Sequence, residues 1–178
     1  MPLDGPPEGA EDLECTVSDP QQVYRALDAL GIRYEVYEHP AVFTADDAAA
    51  HWTPIPATPV KNLFLRNKKG NRHYLVILGI GKQADLAHLV TVIGDDRLSF
   101  GSADRLMAQL GVTPGSVSPF GLLHEGSGAV HVIVDEELRA ADRLIFHPNR
   151  NTASVTISVA DLERFLGSRP NRIRWLKL

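Results

Sequence analysis

Cysteine is nearly absent: the 178-residue chain has one, Cys15, so no disulfide can form within it. A reducing compartment, the cytoplasm, is the expected setting. No stretch approaches the roughly 18 apolar residues of a membrane-spanning helix. The segment Met1–Glu14 has neither the basic start nor the apolar centre of a signal peptide. Zinc-binding patterns are missing too, since the seven histidines form no HExxH and no helical i, i+4 pair. Gly79-Ile80-Gly81-Lys82-Gln83 lacks the upstream Gly and the following Ser or Thr of a phosphate loop. There is no Gly-x-Ser-x-Gly elbow, and Cys15 sits where no rigid scaffold can aim it. Membrane, secreted, metal-dependent and nucleophilic serine or cysteine classes are therefore set aside, and no cofactor is expected.

What is present is ordinary globular composition, 44% hydrophobic and 22% charged, enough for one self-sufficient core. The net charge of −4 is misleading. Six acids and no base lie in residues 1–19, and without them 18 bases face 16 acids. Residues 61–82 carry Lys61, Arg66, Lys68, Lys69, Arg72 and Lys82 with no acid. Residues 164–178 carry Arg164, Arg169, Arg172, Arg174 and Lys177, again with none. Each block alone suits a solvated turn or tail. Together they leave room for a phosphate-bearing ligand.

Residues 1–17, rich in Pro, Gly and acids, read as a flexible acidic leader, and residues 18–178 as one domain. A helix starts at Pro20 behind Ser18 or Asp19, buries Val23, Leu27 and Leu30, and stops at Gly31. Arg33–Glu38 alternates as a strand, broken by His39-Pro40. Thr44 can cap a helix over Ala45–His51, and Thr53–Pro59 is a connector. Val60–Arg66 and His73–Leu78 form a hairpin across Asn67–Asn71. Helices are expected at Asp85–Val90, Ala103–Leu110 and Asp161–Leu166. Strands are expected at Val130–Val134, Arg143–Phe146, Ser154–Ser158 and Ile173–Leu176. Gly115–Gly121 is a loop. Strands and helices interleave without a βαβ period, which gives an α+β fold on a mixed sheet.

Two polar residues sit in odd company. Alternation puts Val60, Asn62 and Phe64 on one face of their strand, and Lys61 with Leu63 and Leu65 on the other. A lysine there needs a partner or an opening to solvent. It is either an edge-strand gatekeeper or a cation at the mouth of a cleft. His147 follows Ile145-Phe146 and precedes Pro148-Asn149, at a strand end, where it is either a structural histidine or a site residue.

Four segments in register, Glu38–Thr44, Lys61–Leu65, Gly115–Gly121 and Phe146–Asn149, resemble the YbaK/ProX family of aminoacyl-tRNA deacylases over residues 19–178. The resemblance implies a mixed, mostly antiparallel sheet curled into a partly open barrel with helices around it. It implies hydrolysis in trans of the ester joining a wrong amino acid to tRNA, alanine on proline-specific tRNA being the usual substrate of the ProX branch. Mischarged tRNA is the implied partner, prolyl-tRNA synthetase a second one, with no DNA and no membrane. Lys61 and His147 take the catalytic positions. Thr44, Asn62, Gly115, Ser116, Val117, Ser118 and Pro119 take the substrate-binding ones, the Gly115–Pro119 loop forming the wall of the sieve. Arg66, Lys68, Lys69, Arg72, Arg172 and Arg174 are candidates for tRNA binding. On an ideal strand Asn62 faces away from Lys61, so its participation requires a twist or bulge. A deacylase for cysteine or another small amino acid, a hydrolase of small acyl esters, and a non-catalytic tRNA- or synthetase-binding module are the competing readings.

Overall fold

The alternating run Thr58–Asn67 makes the longest strand, and every other strand is placed by reference to it. The computed structural model describes residues 18–178, so the acidic leader and Cys15 lie outside the described residues. In chain order the strands are β1 (Glu35–Glu38), β2 (Thr58–Asn67), β3 (His73–Gly79), β4 (Leu98–Phe100), β5 (Val130–Asp135), β6 (Arg143–Phe146), β7 (Ala153–Ser158) and β8 (Ile173–Leu176). The helices are α1 (Pro20–Ala29), α2 (Ala45–Trp52), α3 (Leu86–Ile93), α4 (Ala103–Leu110) and α5 (Val159–Gly167). The sheet order is β1-β7-β6-β2-β3-β5-β8, with β4 added to β2. Four of the seven pairings among the described residues are antiparallel and three parallel. The sheet does not close, because β1 and β8 end it. This is the expected α+β architecture.

The capping chemistry explains most helix boundaries. Asp19 accepts from the Gln21 amide to start α1, and Pro20 fills its first position. Gly31, Gly94 and Gly111 follow α1, α3 and α4 in the left-handed conformation that only glycine adopts freely. Thr44 and Asp47 form a reciprocal capping box on α2. That helix has only eight residues and buries Ala48 and Trp52, so its cap and one indole hold much of it in place.

The main core lies on one side of the sheet. Val60 and Phe64 from β2, Leu75 and Ile77 from β3, and Val132 and Val134 from β5 pack there against α1, α4 and α5. The opposite face of the hairpin, Leu65, Tyr74, Val76 and Leu78, is covered by Leu89 and Ile93 of α3. Residues Tyr74–Leu78 are therefore buried on both faces. A third, small cluster joins Val42, Ala48, Trp52 and Ile55 to Ile145 of β6.

Some expectations need correction. Leu98–Phe100 is a strand, too short to show a period in sequence. Pro119–Leu123 is a 3-10 turn, with Ser118 as its cap and Pro119 at its first position, so the expected loop ends at Ser118. A second 3-10 turn covers Glu136–Ala140. The basic block 61–82 is not uniformly free: Lys82 Nζ lies 2.9 Å from buried Asp135 and 3.1 Å from Glu137, and Arg72 lies 3.3 Å from Asp95.

The Lys82–Asp135 pair ties the turn after β3 to the end of β5. Lys82→Met leaves the Asp135 carboxylate, 1% exposed, without its cation. A stability loss of about 3 kcal/mol is expected in chemical denaturation at pH 7. A loss below about 0.5 kcal/mol would show the pair to be dispensable.

Candidate active site

β2 changes partners along its length. Thr58 and Pro59 pair in parallel with Leu144 and Ile145 of β6. Leu65–Asn67 pair with β4 on that same side. Between them, from Val60 to Leu63, the strand is paired on one side only, with β3; the Phe64 carbonyl already accepts from the Gly101 amide after β4. A cavity of about 150 Å³ opens at this gap. Its apolar walls are Val42, Ala48, Trp52, Val60, Ile80 and Val117, and its polar groups come from Thr44, Lys61, Asn62, Gly115 and His147. Because the strand edge is open here, neighbouring residues from both faces of β2 reach one cavity. Lys61 and Asn62 both line it, without the bulge that an ideal strand would have required.

Lys61 is half-buried, and among the described residues it has no carboxylate and no hydrogen-bond partner. An ammonium in a largely apolar cleft gains nothing for the fold and is available to an anion or a polarised oxygen. Beside it, Asn62 Oδ1 is buried and unpartnered, an acceptor turned away from water. Two unsatisfied groups of opposite polarity, a donor cation and an acceptor, thus share one wall.

His147 supplies a further polar group to the lining. Its Nδ1 lies 2.9 Å from the carbonyl oxygen of Ala153. A carbonyl only accepts, so Nδ1 carries the proton and Nε2 of the neutral ring keeps its lone pair. Burial pushes this imidazole below its ordinary pKa; the bond to Ala153 works the other way, and charge on His39 adds to the lowering. His147 packs edge-on to His39 at 6.0 Å and beside Trp52 at 5.7 Å. Behind them, Trp52 Nε1 donates to Ser154 Oγ at 2.8 Å, and Ser154 Oγ lies 2.8 Å from His39 Nε2. His39 Nδ1 lies 2.8 Å from the Pro40 carbonyl, which fixes that ring as the Nδ1–H tautomer and makes Ser154 the donor to Nε2. The back wall is therefore a closed hydrogen-bond chain with every tautomer assigned.

The loop residues divide. Gly115 and Val117 line the cavity, whereas Ser116, Ser118 and Pro119 are buried behind it. Ser118 caps the following 3-10 turn through the Phe120 amide and bonds Asn149 Oδ1 at 3.2 Å. Gly115 is required by its backbone, φ +90, rather than by space, since an added Cβ would meet nothing nearer than 3.9 Å. Thr44 lines the cavity while its hydroxyl caps α2 through the Asp47 amide. Reading the sequence for polar groups passed over Val42, Phe43, Ala48, Trp52 and Ile80. The Glu38–Thr44 segment carried the signal for the first two; nothing local distinguished the others from core.

The basic candidates lie at the other end of the β2–β3 hairpin. Arg66 and Lys68, with Arg97 and Ser99, line a hollow of about 260 Å³. Arg72, Arg172 and Arg174, with Tyr74 and His131, line another of about 250 Å³. Lys68, Lys69 and Arg172 are exposed, whereas Arg174 donates to the Ile93 and Val92 carbonyls and so closes the C-terminus of α3. Among the described residues no cluster of three ligating side chains could hold a metal ion, and no helix is long and apolar enough to cross a membrane.

The profile of the aminoacyl-tRNA editing domain matches residues 39–165. The chain is 39% identical over 158 residues to prolyl-tRNA editing protein ProX of Acetoanaerobium sticklandii, covering 89% of this chain and 96% of that protein. It is 31% identical over 144 residues to prolyl-tRNA synthetase associated domain-containing protein 1 of Bos taurus, covering 79% and 84%. Among solved structures, a proposed trans-editing enzyme for prolyl tRNA synthetase superposes with a TM-score of 0.69 at 22% identity, over 89% of this chain and 96% of that one.

Two measurements check the back wall. In an NMR pH titration, His147 should reach half-protonation below the ordinary imidazole value of about 6.5. A midpoint at or above 6.5 would contradict its burial. Ser154→Ala strands both the Trp52 indole N–H and His39 Nε2 and should lower stability by about 1–3 kcal/mol in denaturant titration; an unchanged midpoint would show the chain to be incidental.

Proposed function

The chain belongs to the aminoacyl-tRNA editing domain family, and on that premise we propose that it hydrolyses, in trans, the ester of alanine wrongly attached to proline-specific tRNA. The observation that carries this reading is one cavity of about 150 Å³ lined by the unpaired Lys61, by Asn62 with its buried amide oxygen unpartnered, and by His147 held through Nδ1, among apolar walls. A synthetase pocket shaped for proline cannot exclude alanine by size, because missing methylenes cost the wrong substrate only about 1–3 kcal/mol each. A second, smaller pocket can admit the methyl group and reject the pyrrolidine ring by overlap. Val42, Ala48, Trp52, Val60 and Ile80 are suited to the apolar side of that sieve.

Each polar group then has a task. Asn62 Oδ1 accepts from the ammonium of the aminoacyl group, filling its vacant site. Lysine titrates near 10.4 in water and is a poor general base, so Lys61 acts as a cation, on the ester carbonyl oxygen as negative charge gathers there or on the adjoining phosphate. The free amides of the Gly115 loop can assist; Ser116 N is already committed to the Thr113 carbonyl. His147 Nε2 accepts a proton from the attacking water. The water oxygen bonds to the carbonyl carbon, the carbon–oxygen bond to ribose breaks, and the ribose oxygen takes up the proton. The products are alanine and free tRNA, with no acyl-enzyme. The neighbouring ribose hydroxyl can help orient the water.

Exposed Lys68, Lys69 and Arg172, with half-buried Arg66 and the Asp95-paired Arg72, serve the acceptor stem in this reading. Five residues of extended strand separate Lys61 from Arg66, about 16 Å, a suitable reach from the ester to the paired end of the tRNA. Arg174 belongs to the fold, holding α3.

A deacylation panel with alanine, proline, serine and cysteine on proline-specific tRNA decides the reading. Alanine should be released at least 100-fold faster than proline, and Lys61→Ala should lower kcat/KM for alanine by about 10²–10³. Absence of alanine release, or wild-type rates in Lys61→Ala, would overturn it, and faster release of cysteine or serine would reassign the substrate. Arg66→Ala with Arg172→Ala should weaken tRNA binding and reduce its salt slope by roughly two; unchanged binding and slope would move the tRNA elsewhere.

A further inference from the structure

Away from the cavity, one hollow is walled by cations that the fold does not use. It measures about 260 Å³ and is lined by Arg66, Lys68, Arg97 and Ser99. Among the described residues none of its three cations meets a carboxylate. Arg66 is half-buried, and its Nη1 donates to the Asn67 and Lys68 carbonyls at 3.2 Å, which sets the guanidinium in place. Lys68 and Arg97 are exposed. Asp96, next to Arg97 in the chain, has Oδ1 taken by the Lys68 amide at 2.9 Å. The hollow around Arg72 differs, because Arg72 pairs with Asp95 and Arg174 holds the Ile93 and Val92 carbonyls. Three cations gathered without an acid repel one another, and an anion of more than one charge relieves that repulsion.

The place of the hollow says which anion. Arg66 pairs with Ser99 across β2 and β4, on the edge of β2 where the cavity opens. Alternation puts Arg66 on the same face as Val60 and Asn62 of the cavity wall. Between Asn62 and Arg66, Gly101 donates its amide to the Phe64 carbonyl at 2.9 Å and lies so flat on that ring that a Cβ would come within 2.4 Å of it. Cavity and hollow thus share one face of one strand edge, four residues or about 13 Å apart. On the function proposed above, on which this inference rests, the ester in the cavity ends an unpaired 3′ overhang, and the 5′ end of the RNA lies at the base of that overhang. About four stacked nucleotides at ~3.4 Å each span about 14 Å, which matches. A terminal phosphate monoester carries about −1.5 to −2 at pH 7, against a single charge on a backbone diester. We propose that Arg66, Lys68, Arg97 and Ser99 form a phosphate-binding site for the 5′-terminal monophosphate of the tRNA. The site holds the 5′ end at a fixed distance from the ester, and so favours an RNA whose 5′ end stops at the acceptor stem.

The test uses alanylated acceptor-stem RNA bearing either a 5′-phosphate or a 5′-hydroxyl, assayed with wild type and with Lys68→Ala/Arg97→Ala. Both replaced residues are exposed, so the double variant keeps its core. Loss of the 5′-phosphate should raise the wild-type KM about tenfold to 100-fold with kcat unchanged. The double variant should show that rise already on the phosphorylated RNA and no further rise on the hydroxyl-ended one. Equal KM for both RNAs with wild type would overturn the site. An equal loss from the double variant on both RNAs would overturn it too, marking a contact to backbone phosphates instead. Fluorescence anisotropy with uncharged RNA separates this from failure of the hydrolytic reading. Wild type should bind the 5′-phosphorylated RNA more tightly than the hydroxyl-ended one by the same factor, and the double variant should not, whether or not alanine is released. Adenosine 5′-monophosphate binding wild type as tightly as the phosphorylated RNA, and lost in the double variant, would assign the hollow to a free nucleotide and overturn the proposal.

Discussion

A lysine ammonium left without a carboxylate, in a gap where one strand has lost its neighbour on one side, is the constraint around which the molecule is arranged. Two basic residues of the same block are drawn into the fold, Lys82 onto Asp135 and Arg72 onto Asp95, and Lys68 and Lys69 stand exposed on the turn. Lys61 is neither paired nor on the turn. The gap exists because β2 gives up β6 after Pro59 and gains β4 only at Leu65. A fully paired β2 would bury Lys61 against another backbone and leave no entrance. The open edge therefore makes both the cavity and the exposure of its cation, and it also brings Asn62 into the same space.

The rest of the site keeps other charge out. Trp52, Ser154 and His39 form a chain whose donors and acceptors are all matched, and Ala153 holds the Nδ1 proton of His147. Burial keeps His147 neutral, which preserves the Nε2 lone pair and avoids a second positive charge near Lys61. In a low-dielectric cleft, one mobile charge against fixed dipoles gives electrostatic leverage that a hydrated lysine lacks. Family membership and cavity chemistry thus point the same way by separate arguments.

The fold class was legible because its signals are local. Capping residues, turn glycines and period-2 runs placed α1, α4, β6 and β8 to within a residue. The oddity of Lys61 among leucines was also readable, since a polar side chain in an apolar face stands out. Trp52 and Ile80 did not stand out, because an apolar residue looks the same in sequence whether it lines a cavity or a core. The Ser154 network joins residues 102 and 115 positions apart, which no window along the chain can see. Lys82 looked free because its acid, Asp135, lies 53 positions away. Gly115 is demanded by its backbone conformation, which no window along the chain shows.

The most direct test is a crystal structure of the protein with an adenosine 5′-phosphate carrying alanine through an amide in place of the ester, which cannot be hydrolysed readily. The account predicts the methyl group against Val60 and Trp52, the ammonium on Asn62 Oδ1, and Lys61 Nζ within hydrogen-bond distance of the amide oxygen or the adjoining phosphate. An alanyl group bound outside the cavity, or a Lys61 side chain turned to bulk water with the analogue in place, would contradict it.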